Sequence, residues 1–77
     1  MGRHVEVTFK EEMMLKTLLD KIKKGYKKPI DATATELRIA RHTVYTTLHR
    51  LRRRYGASLQ FGDQYRRWRK RIGDKYL

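Results

Sequence analysis

Residues 35–56 read TELRIARHTVYTTLHRLRRRYG, and within them Val44, Leu48, Leu51 and Tyr55 recur at helical spacing. That rhythm lays one buried stripe along a helix over 41–55, which Gly56 ends. The remaining sides of this helix carry five arginines and two histidines and not one acid. A face made only to stay in water is ordinarily a mixture of Lys and Glu. An almost purely cationic face points to an anionic surface pressed against it.

Working upstream, a shorter helix is expected over 32–38. Its start has two candidates, Asp31 as N-cap or a capping box of Thr33 with Glu36. A tight turn through Ile39 and Ala40 then leads into the 41–55 helix. This pairing needs Ala34, Leu37, Ile39, Val44, Leu48 and Leu51 buried, with Ala34 small where the axes cross, Val44 packed back on it and Ile39 plugging inward. Helix, tight turn and second helix with this burial pattern make a helix-turn-helix.

Further upstream, HVEVTF at 4–9 alternates and permits one short strand. Thr8 with Glu11 forms a capping box that opens a helix over 9–24, with Met14, Leu15, Leu18, Leu19 and Ile22 as its stripe. Gly25 is expected as a left-handed cap, with Lys21, Lys23 and Lys24 at the negative end of the helix dipole. The segment YKKPID at 26–31 reads as a connector in which Pro29 stops continuation. Downstream, 63–73 has two readings. Asp63 could cap a helix with Tyr65, Trp68 and Ile72 on one side. Alternatively, Gly62-Asp63 turns a hairpin that makes a wing. Trp68 reads as a packing anchor. The expected fold is therefore all-α or mainly α: one domain over 1–77 with three or four helices, a short N-terminal strand and a C-terminal wing being optional.

Seventy-seven residues suffice for one small domain. Without cysteine there is no disulfide framework and no thiolate metal site. His42 and His49 lack the neighbours a metal would need, and no cofactor is expected. No apolar run approaches a membrane span and no signal-peptide core opens the chain, so a cytoplasmic setting is expected, on the nucleoid. Asparagine is absent and glutamine occurs only at 60 and 64, which fits a heat-adapted prokaryote or its virus or plasmid. Nothing resembles a nucleophile with its base, a carboxylate pair or a phosphate loop, so no enzyme is expected. The net charge of +12 is lopsided: residues 1–39 contribute +3 and residues 40–77 contribute +9. Nine of the last eleven bases are arginine, whose planar fork suits phosphate and guanine edges.

The stretch ATELRIARHTVYTTLHRLRRRYGAS resembles the DNA-binding helix-turn-helix of bacterial and archaeal transcription regulators, most closely the LuxR/GerE-type tetrahelical group. Ala34, Leu37, Ile39, Thr43, Val44, Leu48, Leu51, Tyr55, Gly56 and Ala57 carry the likeness. The LysR-type winged N-terminal domain is similar over the same stretch. Two residues depart from the pattern: Ala40 stands where a capping serine is usual, and Arg38 where the turn is usually small.

The resemblance implies a sequence-specific regulator of double-stranded DNA that reads the major groove with helix 41–55. Arg41, His42, Tyr45, Thr46 and His49 are then expected at base edges. Thr43, Arg50, Arg53, Arg54, Arg66, Arg67 and Arg69 are expected at phosphates. Tyr26 and the lysines around it could add phosphate contacts. The alternatives are a broad-specificity or architectural nucleic-acid binder, and a basic amphipathic membrane or partner module around Trp68. A homodimer is expected, because one such domain reads too few base pairs alone. Its seam is expected at Phe61, Tyr65, Trp68, Ile72 and Tyr76, with pairing of HVEVTF as the rival. No small-molecule ligand is expected.

Overall fold

A computed structural model of the chain describes residues 7–55, 63–73 and 75–77. Those described residues form four helices: α1 (Phe9–Lys23), α2 (Pro29–Leu37), α3 (Arg41–Tyr55) and α4 (Asp63–Ile72). The expected all-α class is the one observed, and the described residues contain no strand. α1 is the spine: α2 packs against one part of it and α4 against another, while α3 packs on α2.

α1 begins as its sequence dictates. The Thr8 hydroxyl accepts the Glu11 N–H at 3.2 Å, and the Thr8 N–H donates to Glu11 Oε1 at 2.9 Å. These reciprocal bonds satisfy two amides that the first turn would leave orphaned. At the other end, Gly25 adopts φ +78°, so the Gly25 N–H reaches the Ile22 carbonyl and the Tyr26 N–H the Lys21 carbonyl. That pair of bonds is a Schellman cap.

α2 corrects the sequence reading. Pro29 does not stand outside the helix as a stop but is its first residue, where a fixed φ and a missing N–H cost nothing. Asp31 thus lies inside the first turn and is not an N-cap. Neither does Thr33 form a box with Glu36: its buried hydroxyl donates to the Pro29 carbonyl at 2.8 Å, and Glu36 pairs elsewhere. The helix ends at Arg38, in the left-handed region at φ 57° and ψ 44°. Its N–H meets the Thr35 carbonyl while the Ile39 N–H meets that of Ala34, so Arg38 performs the task Gly25 performs for α1. Ile39 does not plug inward. It is 37% exposed, because the left-handed residue before it turns the chain outwards.

α4 decides between helix and wing in favour of the helix. The segment QYRRW, second strand of the hairpin reading, is helical, and its partner SLQF lies outside the described residues. Residues 4–6 of the candidate strand lie outside them too, whereas Val7 is buried and its N–H donates to Gln64 Oε1 of α4 at 3.1 Å.

The core joins all four helices: Leu15 and Leu18, Ile30 and Ala34, Val44 and Leu51, Tyr65 and Trp68. Tyr65, Trp68 and Ile72 are 2%, 7% and 6% exposed, and Tyr76 packs on the same core. Trp68 is thus the packing anchor its sequence suggests, whereas the dimer seam expected at these residues is not formed by them. They fill the monomer's own interior instead, because α4 packs on α1 as a fourth wall and turns its apolar stripe into the core; Phe61 lies outside the described residues. After Gly73 the chain folds back, burying the Leu77 side chain. The Leu77 main-chain oxygen accepts from Arg52 Nε of α3 at 3.3 Å and from the Tyr65 hydroxyl of α4. Among the described residues no helix is long and apolar enough to cross a membrane.

Candidate nucleic-acid interface

α3 owes its position to the left-handed turn at Arg38 and to the burial of Val44, Leu48, Leu51 and Tyr55. With those four turned inward, 3.6 residues per turn sends His42, Thr46, His49 and Arg53 directly outward. All four are exposed, and Tyr45 beside them is 52% exposed. This outer strip mixes imidazole, hydroxyl, phenol and guanidinium. It contains no carboxylate.

Arg41 stands apart from the strip. As the first residue of α3 it leans toward α2, where Asp31 Oδ1 lies 3.6 Å from its Nη1. Both groups remain substantially in water, so the pair steers the guanidinium and adds little stability. Around Tyr45 and Arg41 the fold gathers Lys27, Lys28 and Lys75 along shallow depressions. The sequence offers Lys27 and Lys28 as phosphate contacts beside Tyr26, but nothing in it places them, or Lys75, next to α3. They come from the α1–α2 connector and the C-terminal return, and no periodicity joins them.

The other flank of α3 has different company. Thr43, Thr47, Arg50 and Arg54 border a groove of ≈ 680 Å³ shared with the first turns of α1 and the α2–α3 turn. Arg50 is engaged there, its Nη2 lying 3.5 Å from Glu11 Oε2. Glu11 is 6% exposed, so one carboxylate both completes the α1 cap and ties α1 to α3. Of the expected phosphate contacts, therefore, Arg53 lies on the outer strip, while Thr43, Arg50 and Arg54 border this groove. Arg66, Arg67 and Arg69 belong to α4, whose main neighbour is α1, with Arg66 and Arg67 exposed and Arg69 half-buried.

Lys21 is a tightly constrained base. Its ammonium donates to Glu36 Oε1 at 2.6 Å and lies 5.0 Å from the Tyr26 ring centre. The Glu36 hydrogen bond raises its pKa above the ordinary 10.5, against the opposing effect of burial. The same ammonium holds Tyr26, 47% exposed, beside α1. No family model matches the chain, and no curated protein or solved structure is significantly similar to it.

Proposed function

We propose that this chain is a transcription regulator that binds double-stranded DNA with the outer strip of α3 in the major groove. One observation carries the reading. A helix held by a left-handed turn turns outward His42, Tyr45, Thr46, His49 and Arg53, and no acid interrupts them. Mixed donors and acceptors are the equipment for distinguishing base edges, whereas charge alone engages any phosphate. A helix about 10–12 Å across is also what the major groove admits.

On this reading His42, Thr46 and His49 face base edges, and Tyr45 adds a rigid, half-apolar contact. Arg41 reaches guanine or the adjoining phosphate once it leaves Asp31. Arg53 meets phosphate, as do Lys27, Lys28 and Lys75 around Tyr45. Two copies on one duplex are expected, since each base pair discriminates by only about 1–3 kcal/mol and one helix meets few of them. With Tyr65, Trp68 and Ile72 buried, those copies meet through DNA or another surface.

Selection of bound sequences from a random duplex pool tests the reading. A defined motif with two half-sites about 10 base pairs apart is the expected result. Equal affinity for selected and scrambled duplex would overturn sequence specificity and leave a broad nucleic-acid binder, which the exposed cations of α4 also suit. Arg41→Ala separates the two roles of that side chain. Loss on the preferred site alone makes it a base contact, and equal loss on all sites makes it a phosphate contact.

A further inference from the structure

The groove beside α3 has a composition that DNA does not explain. Its apolar part is made by Met13 and Met14 of α1 with Leu37 and Ile39 at the α2–α3 turn. Met13 is 46% exposed and Ile39 37%, and Phe9, one helical turn before Met13, is 76% exposed. Large apolar side chains held in water on a domain this small are costly unless something covers them. A phosphodiester backbone offers nothing to them.

The rim is cationic. Lys10, Arg50 and Arg54 border the groove, and Glu11, the one acid among the described residues that line it, is already occupied by the Thr8 amide and Arg50. The α3 wall runs from Thr43 to Arg54, a rise of about 16 Å at 1.5 Å per residue, or three helical turns. Methionines suit a surface that must adapt to another protein's side chains.

We propose that this groove docks an acidic amphipathic helix of a partner protein. Two or three large apolar residues at i, i+3/i+4 and i+7 spacing fill the Met13–Ile39 end, and carboxylates on its flanks meet Lys10, Arg50 and Arg54. A second copy of this chain fits poorly. Its net charge is +12, and the helices α3 and α4 would bring arginine to an arginine rim. The site lies on the flank of α3 away from Tyr45 and Arg41, so the partner and DNA can be held together.

The test is a selection of displayed helical peptides against the full chain with excess DNA duplex present. Enriched peptides are expected to be acidic with apolar residues at helical spacing. Ile39→Glu and, separately, Met13→Glu should weaken their binding at least tenfold. Arg54→Glu should do the same, and replacing the peptide's carboxylates with lysines should restore binding to that variant. Met13 and Ile39 are 46% and 37% exposed, so the variants are expected to keep the fold; circular dichroism checks it, and either one suffices if the other fails. DNA affinity measured on Ile39→Glu and Met13→Glu should stay unchanged, which separates failure here from failure of the DNA reading. Four results overturn the proposal: peptides without acids, binding indifferent to all three substitutions, displacement of peptide by the duplex, or a chain whose self-association disappears with Ile39→Glu.

Discussion

α3 and α4 are built on the same plan and finished differently. Each buries one apolar stripe and turns basic residues outward. On α3 the inner residues are mostly aliphatic, and arginine shares the outer strip with His42, Tyr45, Thr46 and His49. On α4 the inner residues are Tyr65, Trp68 and Ile72, Trp68 being the largest side chain of the core, and the exposed ones among the described residues are Arg66, Arg67, Lys70 and Arg71. Arg71 even spends part of its reach on the Trp68 ring, 5.1 Å from its centre. A helix with varied hydrogen-bonding groups can discriminate between surfaces. A helix with only cations can attract them, while its bulk closes the core.

The strongest way to break this contrast is Trp68→Ala. If α4 is the fourth wall, removing the indole costs about 3–5 kcal/mol and lowers the urea midpoint of the isolated chain at every protein concentration. If the indole were a seam between copies, the loss would instead depend on concentration. A midpoint within error of wild type would remove Trp68 from the core.

Next comes the division of labour. His49→Ala should lose about 1–3 kcal/mol on the selected duplex and much less on a scrambled one. Arg66→Ala with Arg67→Ala should weaken both duplexes alike, and flatten the salt dependence by about 0.9 for each phosphate no longer neutralised. Filter binding across a salt series distinguishes the patterns, and two identical profiles would erase the contrast.

A smaller effect tests the turn that aims α3. Gly25 and Arg38 make the same pair of capping bonds at positive φ, but only glycine is free of the Cβ penalty there. Arg38→Gly should therefore gain stability, by about 0.5–1 kcal/mol, and Gly25→Ala should lose about as much. Thermal unfolding of the two variants measures both. A loss from Arg38→Gly would mean that its side chain contributes something beyond the cap.

The smallest effect is that of pH on the tie between α1 and α2. Lys21 has a folded pKa above the ordinary 10.5, so its contribution is fully present below that pH and is lost as pH rises through the folded value. Stability should fall in alkali above pH 10.5 and fall less steeply in Glu36→Gln, as followed by urea unfolding at stepped pH.

Much of this fold was legible residue by residue. The Thr8 capping box, the Gly25 cap and the α3 stripe each depend on groups within four or five positions of one another, where backbone geometry leaves little choice. The candidate strip on α3 was legible for the same reason, since burying Val44, Leu48 and Leu51 determines which side chains are turned out. Local signals failed where two of them competed. Asp31, Thr33 and Glu36 are all credible capping residues, yet Pro29 starts α2 earlier and leaves each with another partner.

What the sequence by itself determined is thus the identity and inner face of α1 and α3, and the lopsided positive charge. Only the tertiary structure decided that Tyr65, Trp68 and Ile72 close the core, that Glu11 joins α1 to α3 through Arg50, and that Met13 and Ile39 share one groove. The reason is one of range. Helical periodicity tells which side of a segment avoids water, but a stripe of apolar residues is chemically the same whether a neighbouring helix or another molecule covers it. Which of the two does so depends on the direction each turn gives the chain. Here a single left-handed residue, Arg38, sets that direction for α3 and leaves Ile39 facing outwards.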